Sequence, residues 1–210
     1  PNLVDAKMVF FPKLLELAAV ISRSPINLLV PITFVGLTAL SEELGEGYFP
    51  SLSSDGNQVL FVSNTSIDPE IYLFDIPTKQ ISNLTNQPGF DNQPLWGPDG
   101  KQIAFLSDRD GGDTDIWVMN ADGSSPRRLA KNPGEESMGG WSPDGKKLVY
   151  SNRDEVGEAL WIIDVESGES TRLTESQAGK SDTSPAWSAD GKTIAYHSSE
   201  NTGQYYCDLG

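Results

Sequence analysis

An Asp-Gly pair returns at a near-constant interval along the chain, at Asp55-Gly56, Asp99-Gly100, Asp144-Gly145 and Asp190-Gly191, spaced 44, 45 and 46 residues apart. A period of that size marks a repeat architecture, in which each unit buries its apolar surface only against its neighbours. The surroundings recur with the pair. PLWGPDGKQIAFLSDRD, GGWSPDGKKLVYSNRD and PAWSADGKTIAYHSS are the clearest copies, and the weaker FPSLSSDGNQVLFVSN precedes them. A second apolar stretch and a short third one follow in EIYLFDIPTKQISNLT, DIWVMNADGSSPRRLA and ALWIIDVESGESTRLT.

Each repeat therefore predicts four short strands joined by turns. In Ser142-Pro143-Asp144-Gly145 the proline presets φ for the second turn position. The glycine then accepts the positive φ of a type I turn leading into a bulged hairpin. The next strand is apolar on both sides, with Ile103 and Phe105 on one and Ala104 and Leu106 on the other. Such a strand must be sandwiched between layers, and four-stranded blades stacked around an axis provide that. All five tryptophans fall at matching repeat positions: Trp96, Trp141 and Trp187 before the turn, Trp117 and Trp161 in the third strand. A fixed place in every repeat favours blade-to-blade packing over a stacking platform for sugars or bases.

The string P-x-W-S-P-D-G-K-x-[IL]-x-[FY]-x-S-[DN]-R-D, followed by DIWVMNADG and R-L-T, resembles the TolB-like β-propeller repeat family. Departures occur: Leu52-Ser53-Ser54 stands for Trp-Ser-Pro in the first copy, Gly97 for serine in the second, Ala189 for proline in the fourth. The Asp-Gly survives in all four. The expected fold is all-β, a partial propeller of four-stranded antiparallel blades, with blades near 48–85, 91–130, 136–174 and 182–210. About three full blades and parts of flanking ones fall short of the usual ring, so the resemblance implies a piece of a longer protein. It also implies a periplasmic or otherwise extracytoplasmic bacterial setting. Similar propellers form the gating domain of prolyl-oligopeptidase-like serine peptidases, the alternative reading, whose hydrolase domain would lie outside this chain.

Residues 1–31 form an apolar leader, and the uncharged run SPINLLVPITFVGLTALS crosses its boundary with the repeats. Three readings stay open. Its length brushes the lower bound of a membrane span, though Pro25 and Pro31 interrupt it. Basic residues followed by an apolar stretch and small residues near Ala39 suggest a signal or anchor. ITFVGLT, residues 32–38, also matches the closing strand of a blade, because each repeat ends on Leu-Thr or its like: Leu84-Thr85, Leu129-Ala130, Leu173-Thr174.

Thirty Asp and Glu against fifteen Lys and Arg set the net charge at -15. That balance argues against a nucleic-acid partner, whose phosphates demand the opposite excess. Cys207 and His197 are single in the chain, which excludes an internal disulfide, a thiolate metal cluster and a histidine-pair zinc site. GWSPD at 140–144 resembles a nucleophile elbow, but it lacks the final glycine and places Ser142 in a hairpin turn. No catalytic residue is assigned. Asp108, Asp110, Asp113 and Asp115 in SDRDGGDTD come nearest to a calcium site. A solvated hairpin end is the favoured reading of that segment, so no cofactor or metal is assigned.

In a four-stranded meander the loops between strands two and three share a face with the connections between blades. That face collects eighteen acidic residues against Arg109, Lys131, Arg153 and Lys180, a net of -14, while the opposite face nets -1. A field so one-sided steers cationic partners. The expected function is a non-enzymatic binding module whose acidic loops meet a basic partner protein or cationic ligand. Asp108, Asp110, Asp113, Asp115, Glu135, Glu136, Asp154, Glu155 and Glu158 are its candidate contact residues.

Overall fold

The computed structural model describes residues 47–64, 67–129, 132–175 and 177–199, together with the backbone strand at 205–209. The leader and the strand expected at 32–38 lie outside the described residues. Blade 1 is the antiparallel meander β1 (Gly47–Leu52), β2 (Gln58–Ser63), β3 (Glu70–Asp75) and β4 (Gln80–Asn83). Blade 2 repeats it as β5 (Asp91–Trp96), β6 (Gln102–Ser107), β7 (Asp115–Asn120) and β8 (Arg127–Arg128). Blade 3 comprises β9 (Glu135–Trp141), β10 (Lys147–Arg153), β11 (Glu158–Asp164) and β12 (Ser170–Arg172). A fourth sheet follows as β13 (Ser181–Trp187), β14 (Ile194–Ser199) and β15 (Tyr205–Leu209), and one parallel pair, Glu158 with Ser181, ties it to β11.

The Asp-Gly turns form as their chemistry requires. Gly145 adopts φ +71° and donates its N–H to Ser142 O at 2.9 Å. Ser142 Oγ donates to Asp144 at 2.6 Å and accepts the Lys147 N–H at 2.9 Å. Ser142 is buried and occupied as a turn staple, the role that Ser53 and Ser188 play in their blades. Hydrogen bonding from Ser142 and the Lys146 N–H holds the Asp144 carboxyl below its ordinary range.

Strand β6 is sandwiched. Ile103 and Phe105 join Trp96, Trp117 and Met119 against Leu60, Val62 and Ile71 of blade 1. Ala104 and Leu106, with Ile116 and Val118, pack on Leu148, Tyr150, Ile163 and Val165 of blade 3. Each large aliphatic side chain removed from water there contributes about 1.5–3 kcal/mol. Four of the five tryptophans serve the packing: Trp96 and Trp117 are buried in the first layer, and Trp141 and Trp161 pack against the second.

Inner strands are stitched to one another across blades. Ser51 Oγ accepts the Trp96 N–H at 3.2 Å, Gln93 Oε1 accepts the Met138 N–H at 2.9 Å, and Trp141 Nε1 donates to Leu95 O at 3.2 Å. Each inner strand also carries a bulge. In blade 3 it falls at Gly139, where an added Cβ would lie 2.5 Å from Pro185 Cγ and 2.7 Å from Val149 O. Gly139→Ala is therefore expected to cost about 1–3 kcal/mol, read as a lower urea midpoint at unchanged slope. Gly140→Ala, whose new methyl meets nothing within 4 Å, is the near-neutral control.

Candidate functional site

The loops β2–β3, β6–β7 and β10–β11 share one face with the connections between blades, and the nine candidate residues sort there into three environments. Asp115, Glu136 and Glu158 are buried, at 3%, 5% and 7% exposure, so a docking partner cannot touch them. Asp108 and Asp154 are half-buried turn supports. Asp108 accepts the Phe90 N–H at 2.6 Å, and Asp154 accepts the N–H groups of Val156 and Gly157 at 2.8 and 2.9 Å. Asp110, Asp113, Glu135 and Glu155 are exposed. The four aspartates of SDRDGGDTD thus diverge. Among the described residues no three His, Cys, Asp or Glu side chains stand where they could hold a metal together.

The buried carboxylates have structural work at the loop ends of the blades, and three more join them: Glu70, Asp91 and Asp182. Between blades 1 and 2, Arg109 Nη2 reaches both Asp91 oxygens at 2.8 Å, and its Nε donates to Ser107 Oγ at 2.9 Å. Its guanidinium lies 5.0 Å from the ring centres of both Phe105 and Trp117. Glu70 accepts from Thr85 Oγ1 at 2.7 Å beside this pair. Burial raises the Asp91 carboxyl above its ordinary range despite Arg109, and it raises Glu70 as well. Further along, Glu158 binds Ser151 and Arg153 at 2.9 and 3.0 Å. Asp182 takes Ser198 Oγ at 2.5 Å and lies 3.3 Å from Lys180.

The junction of blades 2 and 3 is built differently. In blades 1 and 3 the first free N–H of the third strand goes to a threonine: Ile71 to Thr85 at 2.8 Å, Leu160 to Thr174 at 3.0 Å. The equivalent sequence position in blade 2 is Ala130, which has no hydroxyl. Glu136 of the next blade fills the gap, accepting the Ile116 N–H at 2.8 Å and the Asn132 amide at 3.1 Å. Asn132 also donates to Tyr150 Oη at 2.7 Å. Burial, reinforced by the nearby Asp115 charge, pushes the Glu136 carboxyl up to about 7.

Two arginines of the outer strands β8 and β12 also reach this face. Arg128 pairs with Asp115 and lies 3.4 Å from Asp110, and Arg172 binds Asp154 at 3.2 Å. The face is less negative than residue counting implies, and among the described residues Arg109, Arg128, Arg153, Arg172 and Lys180 are engaged by carboxylates of the rim. What remains toward solvent is chiefly the exposed acids.

A family model described as the TolB beta propeller domain matches residues 35–157. The Tol-Pal system protein TolB of Francisella tularensis subsp. mediasiatica is 33% identical over 72 residues, which are 34% of this chain and 17% of that protein. The chain thus matches about a sixth of the length of that curated relative. Among solved structures, TolB from Acinetobacter baumannii superposes with a TM-score of 0.68 at 24% identity, covering 78% of this chain and 40% of the other. A Mycobacterium tuberculosis puromycin-hydrolyzing peptidase superposes with a TM-score of 0.57 at 17% identity, covering 78% and 28%. At those identities the two likenesses speak for a shared fold.

Proposed function

Because this chain belongs to the TolB beta propeller domain family, we propose that it is a non-enzymatic protein-binding propeller of the bacterial envelope. In this reading it works in the periplasm or another extracytoplasmic compartment and offers its loop face to a basic partner protein. One observation carries it. Arg109, Arg128, Arg153 and Lys180 are engaged by Asp91, Asp115, Glu158 and Asp182, while Asp110, Asp113, Glu135 and Glu155 stand exposed around them. Solvent-facing carboxylates set among paired cations attract cationic partners and dock by complementarity.

The test is electrostatic. A partner retained from envelope extract on immobilised protein should be released as salt rises from low to several times physiological, because exposed pairs are screened. The variant with Asp110→Asn, Asp113→Asn, Glu135→Gln and Glu155→Gln should lose it even at low salt. Retention indifferent to both changes overturns the acidic-face reading.

The second reading, a gating propeller of a prolyl-oligopeptidase-like serine peptidase, draws support from the likeness to the mycobacterial peptidase. Flanking coding sequence discriminates: a G-x-S-x-G motif with downstream Asp and His would decide for the peptidase.

A further inference from the structure

The loop face carries apolar side chains among its acids: Val156 in the β10–β11 loop, and Ile67 and Phe90 together where blades 1 and 2 meet. Ile67 is fully exposed at 100% and Phe90 half-exposed at 50%. Phe90 is not a loose loop residue. Its N–H donates to Asp108 Oδ1 at 2.6 Å, and its carbonyl accepts the Asp108 N–H at 3.3 Å. Gly89 before it has φ +115°, and an added Cβ there would lie 2.9 Å from Arg109 Cα, so the backbone rests flat on the neighbouring turn. The Gly89 N–H also points to Asp68 Oδ2 at 3.4 Å, which brings the Ile67-Asp68 turn alongside. A large ring presented from a pinned backbone loses little entropy when it is covered, the property of an interface anchor.

A cleft of about 640 Å³ opens beside this anchor. Asn86, Gln87 and Pro88, the residues leading into Phe90, line it together with Asp110 and Pro126. Arg109 also lines it, with its charge already held by Asp91. The exposed ion of the cleft is therefore Asp110, which lies 3.4 Å from the edge of Arg128.

We infer that the junction of blades 1 and 2 anchors the partner. An amphipathic basic segment lays an aliphatic or aromatic side chain against Phe90 and Ile67 and directs a lysine or arginine toward Asp110. The inference rests on the acidic-face reading and adds the location and the apolar half of the recognition. A purely polycationic ligand leaves Phe90 without a role, and an anionic lipid surface is repelled by the surrounding carboxylates.

The probe is a fluorescein-labelled twelve-residue leucine–lysine peptide, measured by anisotropy against a glycine–lysine peptide of equal charge, with the full chain. The leucine–lysine peptide should bind about tenfold tighter or more, as loss of one anchor contact commonly implies. Amide resonances of 86–90 and 108–112 should shift most. Phe90→Ala should bring its affinity down to that of the glycine–lysine peptide at an unchanged melting temperature. Ile67→Ser, at a fully exposed position that cannot unsettle the fold, should weaken it about threefold or more. Equal affinities for the two peptides, or indifference to both substitutions, overturns the anchor while leaving the acidic face standing. Failure of both peptides to bind at low salt overturns the acidic face as well.

Discussion

Arg109→Ala is expected to cost about 3–5 kcal/mol, the range for removing one partner of a buried ion pair, and roughly 6–20 °C in melting temperature for a chain of this size. Arg109 and Asp91 are 10% and 1% exposed at the side chain, and one guanidinium nitrogen serves both carboxylate oxygens. Without it, Asp91 is left charged in a layer that already raises its carboxyl, with Glu70 close enough to add repulsion. The loss also removes contacts to Phe105 and Trp117. Two controls separate these contributions. Arg109→Met with Asp91→Asn removes both charges while keeping a side chain on the two rings, and should recover most of the stability. Lowering the pH should narrow the gap between Arg109→Ala and the wild type, because protonating Asp91 and Glu70 removes the uncompensated charge. A loss below about 1 kcal/mol would place this pair in the class of solvated surface bridges.

The parts of the fold governed by local chemistry are legible in the sequence. Gly56, Gly100, Gly145 and Gly191 adopt φ between 69° and 74°, because the turn preceding each hairpin needs a left-handed residue at that step. The apolar character of both sides of β6 translates directly into its two packing layers. The rim resisted reading for a different reason. Asp115 and Glu158 are the first residues of their strands and Glu136 the second of β9, and at such positions a carboxylate looks like loop vocabulary. Whether it faces water or a buried partner depends on contacts well beyond its own turn, 20 residues apart between Ile116 and Glu136 and 18 between Arg109 and Asp91. Arginine length adds a second difficulty. Arg128 and Arg172 belong to outer strands, yet their guanidiniums end among the acids of the loop face. One signal was present all along. Leu84-Thr85 and Leu173-Thr174 bracket Leu129-Ala130, and a missing hydroxyl where a buried N–H needs an acceptor calls for a replacement from elsewhere.

That replacement makes Glu136 a pH-sensitive point of the fold. Its carboxyl stands at about 7 in the folded protein against an ordinary 4.5. Between those values the native state holds a proton that the unfolded chain has released, so stability is greatest below about 4.5 and falls as pH rises to about 7. The total is about 3 kcal/mol, from the 1.36 kcal/mol carried by each pH unit. The charged groups facing Glu136 are Asp115 and Arg128, and the first opposes its ionisation while the second favours it. Glu136→Gln keeps an oxygen for the Ile116 N–H and abolishes the charge, with the Asn132 amide turning over to meet the new N–H₂. In urea melts the variant should match the wild type near pH 4.5 and exceed it by about 2–3 kcal/mol at pH 8. Glu136→Ala should instead be the less stable protein in acid, because it leaves the Ile116 N–H without an acceptor, at about 1–3 kcal/mol. Adding Ala130→Thr to Glu136→Ala restores the hydroxyl that serves Ile71 and Leu160, and should return at least half of that loss without returning the pH dependence. If Glu136→Gln tracks the wild type at every pH, the proton is not held there and the carboxylate is solvated. If Ala130→Thr returns nothing, the alanine and the glutamate are unrelated departures rather than one exchange of acceptors between neighbouring blades.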